Sequence, residues 1–157
     1  MKFNYSAFKA IYLHEMDRFR RTLLQSLLSP VLSTSLYFIV FGSVIGGYVE
    51  KIDGISYGSY IVPGLLMLTL LTQSITNTSF GIFFPKFNGT IYEILAAPIS
   101  TFEIVLAFVG AGASKTLLVG IVIFITATFF VEVDVKYPLL VFFLLILVAF
   151  TFALFGF

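Results

Sequence analysis

Of 157 residues, 59% are hydrophobic and only 11% are Asp, Glu, Lys or Arg, whereas a soluble domain carries about a quarter charged; a water-soluble core of this size could not hide so much apolar surface. A formal net charge of +1 provides no basic field for nucleic acid. The chain has no Cys, which rules out disulfides and thiolate metal sites.

The charged residues leave four gaps, from Thr22 to Val49, Gly54 to Pro85, Thr116 to Val131 and Tyr137 to Phe157. A helix needs roughly 20 residues at about 1.5 Å each to cross the hydrocarbon core. The gaps supply that length, the third by taking in residues before Lys115. The expected fold class is therefore all-α: a polytopic membrane protein with an N-terminal amphipathic helix over 1–26 and transmembrane helices over 30–48, 59–82, 104–130 and 138–157. The first apolar run starts too late and runs too long for a cleaved signal peptide.

At about 100° per residue, Tyr5, Phe8, Tyr12, Met16, Phe19 and Leu23 share one stripe, with Lys2, Ser6, His14, Asp17, Arg18 and Arg21 around the rest. Such a helix lies in the headgroup layer, or docks its polar face on a soluble partner. His14 and Glu15 open a zinc-like "HEMDR", but the second His position is Arg18. Lys2, Lys9, Arg18, Arg20 and Arg21 are five of the nine Lys and Arg residues. The positive-inside rule places this end in the cytoplasm.

Pro30 is expected to open the first span, where its missing N–H is harmless. Gly42 and Gly46 within it form a GxxxG pair for close helix approach. The following loop, "YVEKIDGISY", and the loop around Glu132, Asp134 and Lys136 are short and acid-leaning, as exterior loops are. Tyr48, Tyr57, Tyr60 and Tyr137 flank them as interfacial aromatics. The second span begins near Pro63 and Gly64 and turns polar in "TLLTQSITNTS". There Thr69, Gln73 and Asn77 recur every four residues on one face. Lipid cannot satisfy them, so they serve interhelical hydrogen bonding or line a substrate path.

The next loop reads "FFPKFNGTIYEILAAPISTFEIVLA". Thr90 with Glu93, and Ser100 with Glu103, have capping-box spacing, and Pro98 stops the intervening helix. A short helix from about Ile91 to Ala97, then a turn, then the third span, makes a rigid lever or an ordinary structured connector. The third span opens with "VGAGASKT", which resembles a phosphate-binding loop except that Val109 and Ser114 stand where glycines are needed. Gly112, Thr116 and Gly120 instead give a small-residue helix-packing groove. Lys115, the lone charge inside a span, snorkels to the cytoplasmic side, pairs, or meets an anionic substrate. No nucleophile with a base and no metal-ligand set appears, so the chain is not expected to be an enzyme. The glycosylation-like triplets at Asn4, Asn77 and Asn88 lie on the cytoplasmic side or within the bilayer and read as chance.

The stretches "NGTIYEILAAPISTFEIVLAFVGAGASKTLLVG", "HEMDRFRRTLLQSLLSPVLSTSLYFIVFGSVIG" and "SYIVPGLLM" resemble the ABC-2 type permease family, the membrane subunits of bacterial ATP-driven exporters, over essentially the whole chain. The resemblance implies that the short helix is a coupling helix seated in a separate ABC ATPase subunit. Lys86, Asn88, Gly89, Thr90, Tyr92, Glu93, Pro98 and Ser100 would then be its contacts. It also implies that ATP and Mg are bound by that partner and no cofactor by this chain, and that a homodimer or paired permease forms in the inner membrane; the polar positions Thr69, Gln73, Asn77 and Lys115 are then the candidate translocation path. Family members have six transmembrane helices, so 1–157 is expected to be a truncated ABC-2 transmembrane domain. The rival expectation is a non-transporting membrane anchor that recruits a soluble partner through its amphipathic helix and cytoplasmic loop.

Overall fold

A computed structural model describes residues 3–41, 51–52, 55–131 and 135–157, with backbone only at 51, 52 and 55. Helix α1 spans Tyr5–Arg21. It starts where the Asn4 side chain accepts the Ala7 N–H at 3.2 Å, satisfying one of the free donors of a first turn. Thr22, at φ −104° and ψ 14°, ends it, and α2, Leu23–Val40, follows at once.

Pro30 therefore does not open the first span; it lies inside α2. The run from Leu23 to Leu28 is itself helix-forming. Pro30 is also buried, and membrane helices tolerate an interior proline where neighbouring helices, hydroxyl side chains or local adjustments re-satisfy the carbonyl it frees. Gly42, Gly46 and the expected end of this span at 48 lie outside the described residues, as do Tyr48, Glu50, Asp53, Glu132 and Asp134.

Two-residue strands β1, Lys51–Ile52, and β2, Ile55–Ser56, pair antiparallel with Lys51 opposite Ser56. They do not alter the all-α class. Ser56 then caps α3, Tyr57–Phe87, by accepting the Ser59 N–H at 3.3 Å. The short α4, Ile91–Ala96, joins α3 to α5, Thr101–Phe130, and α6, Pro138–Gly156, completes the described chain. Pro138 stands in the first turn of α6, where its fixed φ suits the helix and no N–H is missed.

Helix α5 is the hub, touching α1, α2, α3 and α6. It runs antiparallel to α3, and small residues set the spacing. A Cβ on Gly112 would overlap the Thr78 hydroxyl, and one on Gly120 would lie 2.8 Å from Leu70 Cδ2. The small-residue groove expected of Gly112, Thr116 and Gly120 is therefore present, and α3 fills it with Leu70, Ser74 and Thr78, all buried. Among the described residues Ser74 Oγ and Thr78 Oγ1 have no hydrogen-bond partner; close helix approach is what they accompany. On the far side, Ala149 and Ala153 of α6 pack on Val109 and Ala113. Gly156 comes against the Ile75 backbone, and Ser79 Oγ donates to the Gly156 carbonyl at 2.7 Å. Near the opposite end, Phe38, Val62 and Ala127 form one cluster, with Phe38 stacked on Phe130.

Four helices, α2, α3, α5 and α6, are long and apolar enough to cross a membrane. Their outward faces carry large apolar side chains such as Leu32, Leu68, Leu139 and Phe155, which water would penalise and lipid accommodates. The chain is a multi-pass membrane protein.

Candidate functional site: an exposed elbow and a buried seam

Two regions gather the chemistry-bearing residues. The first is the elbow between α3 and α5. Gly89 has φ +78°, a left-handed conformation that glycine adopts without steric cost, and it turns the chain out of α3. Thr90 is already helical, at φ −65° and ψ −15°, and makes no side-chain cap. Its hydroxyl instead donates back to the Pro85 carbonyl at 3.4 Å, one of the acceptors left free where α3 ends. The capping box expected from Thr90 and Glu93 is thus absent, because a cap needs an extended residue and this one is helical. Ala97, at ψ 150°, ends α4 before Pro98, as the proline requires.

The second expected box does form. Ser100 Oγ accepts the Glu103 N–H at 3.3 Å, while a Glu103 oxygen accepts the Ser100 N–H at 2.9 Å. The other Glu103 oxygen accepts the Asn4 N–H at 2.6 Å, so one carboxylate ties the elbow to the start of α1. Between these fixed ends α4 buries nothing. Tyr92 is 73% and Phe87 77% exposed, and Leu95 and Phe102 are also exposed. Lys86, Asn88, Thr90, Glu93 and Pro98 lie at the surface, with Gly89 and Ser100 half-buried. The structure therefore collects all eight predicted contact residues on one elbow.

The second region is the seam between α1 and α5. Its contacts follow parallel order: Asn4 to Glu103, Tyr12 OH to Ser114 Oγ at 2.9 Å, Glu15 to Lys115, and Phe19 onto Val119 and Ile123. A helix lying flat in the headgroups would cross α5 once. Instead α1 runs beside it, and the apolar stripe expected to face headgroups seats Phe8, Tyr12 and Phe19 towards protein, with Tyr5 and Leu23 left exposed.

Lys115 Nζ donates to Glu15 Oε2 at 2.7 Å, with side-chain exposures of 4% and 3%. Pairing is thus the fate of Lys115. The residue that pattern reading missed is Glu15. Its position, seven after Phe8 and four before Phe19, puts it on the stripe facing α5, which was the available signal. Of the other proposed path residues, Thr69 Oγ1 donates to its own helix at the Leu65 carbonyl at 2.8 Å. Asn77 Nδ2 donates to Thr116 Oγ1 at 3.3 Å, an interhelical bond, and Gln73 is half-buried. Lys115 is directed to α1 and not to this polar row. Among the described residues no group of His, Asp and Glu could hold a metal.

Fold and elbow together define an all-α, multi-pass membrane subunit in which two long helices are joined by a short, outward-facing helix. Residues 6–157 match the ABC-2 type transporter family. Over 150 residues the chain is 39% identical to the inner membrane transport permease YadH of Escherichia coli (strain K12), and equally to the proteins of that name from Escherichia coli O157:H7 and Shigella flexneri. The chain belongs to the ABC-2 type transporter family. These alignments cover 96% of this chain and 59% of the relatives' length. No solved structure matches it.

Proposed function

We propose that the chain is the membrane-spanning part of an exporter permease in the bacterial inner membrane, with its N-terminus and the α3–α5 elbow in the cytoplasm. The observation that supports this most directly, in a member of this family, is α4: a helix with no buried residue, held at Gly89 and at the Ser100–Glu103 box, that presents Tyr92, Leu95 and Phe87 outward. Exposed aromatic and aliphatic side chains on a rigid support are what a protein partner buries. The partner is an ABC ATPase subunit, which binds ATP and Mg itself and contacts Lys86, Asn88, Gly89, Thr90, Tyr92, Glu93, Pro98 and Ser100. The five basic residues ahead of the first span favour the cytoplasmic side for this end, and the relative's name supplies the inner membrane.

With 31 and 30 residues, α3 and α5 are about 45 Å long at roughly 1.5 Å per residue, against roughly 30 Å of hydrocarbon. The excess carries the elbow clear of the bilayer. Hydrolysis in the partner displaces α4, and the capped start of α5 passes that displacement into the spans, which rock against a second permease copy. Thr69, Gln73 and Asn77 face the path so opened.

In the full-length protein, Tyr92→Ala with Glu93→Ala is expected to abolish co-purification with the ATPase while leaving thermal unfolding in detergent unchanged. Undiminished association would overturn the assignment. Reconstituted vesicles separate it from a passive anchor, since only a permease raises the partner's ATPase rate.

A further inference from the structure

Glu15 is shared. The oxygen that takes Lys115 also takes Arg18, one turn further along α1, at 2.9 Å. Gly81 of α3 faces this carboxylate with space for no more than ordinary contact, and Phe108 closes the same side. Arg18 sits at the rim: its side chain is 29% exposed, and its guanidinium lies 5.7 Å from the centre of the Phe84 ring. The three charges are thus arranged as an interior cation on α5, an anion on α1, and a second cation on α1 that reaches the surface.

A buried ion pair between two helices normally forbids separation, because each charge is left bare. Here, drawing α1 away from α5 leaves Glu15 still paired with Arg18, which travels with it, so of the two charges only Lys115 gives up its partner. The other polar contacts along the seam, Tyr12 to Ser114 and Asn4 to Glu103, are single hydrogen bonds. The chain leaves helical geometry at Thr22, which places a break between α1 and α2 where α1 would pivot. The geometry points to a releasable strap: α1 is latched across α5 by Glu15–Lys115, with Arg18 the reserve cation that keeps Glu15 compensated when the latch opens. This goes beyond the exporter reading and does not depend on an ATPase.

The test uses the full-length permease, with other cysteines removed, in native membrane vesicles. A cysteine at Ser114, beneath Tyr12 in the seam, reports lifting of α1 through its rate of N-ethylmaleimide labelling. Arg18→Gln alone leaves the rate within about twofold of the parent, and Lys115→Met alone raises it about threefold, because either remaining cation still holds Glu15. The double variant strands the carboxylate and labels at least about tenfold faster than the product of the two single effects. Adding Glu15→Gln to that double variant removes the stranded charge and brings the rate back towards the parent, which separates release of the strap from unfolding. If the double variant only multiplies the single effects, or if the triple variant labels as fast as the double, the shared-carboxylate latch is wrong.

Discussion

The elbow and the seam both contain a carboxylate that receives two partners, yet they are built on opposite terms. At the elbow, Glu103 closes a turn three residues away and reaches the backbone of Asn4, while α4 beside it buries no residue. In the seam, Glu15 meets a lysine 100 positions along the chain, and both are enclosed. The elbow's shape comes from local backbone chemistry and leaves its side chains free for another molecule. The seam's shape comes from long-range pairing and leaves nothing free. The same functional group is buried in both places, but it serves the elbow by accepting backbone N–H groups and the seam by pairing with two cationic side chains.

The largest effect that would break this comparison lies beside the seam. Gly112→Leu forces a side chain onto the Thr78 hydroxyl and should cost more than about 3 kcal/mol, the upper end of ordinary overpacking. Thermal unfolding in detergent measures it, and Thr78→Ala in the same chain should recover part of the loss. A variant as stable as the parent would mean that α3 and α5 are not held at this distance by their small residues.

A smaller effect belongs to the elbow. Ser100→Ala removes a formed capping box and should cost about 1 kcal/mol. It should also weaken association with the proposed ATPase less than the Tyr92 and Glu93 changes do, because Ser100 is half-buried where those two are exposed. Smallest of all is Thr90→Ala. Its hydroxyl makes no N-cap bond and only a long one to the Pro85 carbonyl, 3.4 Å, so the change should stay within about 0.5 kcal/mol. Equal losses at Thr90 and Ser100 would show that both boxes form after all and that the elbow is stiffer than described.

Those two positions also mark how far the sequence could be read. Both set a hydroxyl residue three positions before a Glu. Ser100 follows Pro98 and Ile99 in extended backbone and caps; Thr90 follows left-handed Gly89, enters the helix directly and does not. Spacing predicts a cap only when the preceding dihedrals allow it. The spans were legible because hydropathy is a property of each stretch alone, and α3, α5 and α6 fall close to the expected 59–82, 104–130 and 138–157. The start of α2 was misplaced because proline was weighed as a starter, while burial makes it tolerable inside. The third-span groove was legible from Gly112, Thr116 and Gly120, but not that Thr78 and Leu70 would fill it. That Lys115 needs a partner was legible, and that Glu15 lies on the stripe of α1 could have been. Joining the two requires knowing that α1 packs against α5, which no local pattern contains. The eight elbow residues lie together because all fall within the single loop 86–100, and the role proposed for them comes from the resemblance.

The parallel order of the seam has a consequence for biogenesis. The ribosome finishes α1 long before it makes Ser114, Lys115 or Val119, so the first helix to emerge is among the last to be seated. Until the third span enters the membrane, Phe8, Tyr12 and Phe19 have no protein to cover them, and Glu15 has only Arg18 for company. The bilayer surface is where a nascent helix of that composition waits. The amphipathic pattern therefore describes where α1 lodges during synthesis, and the structure shows where it settles.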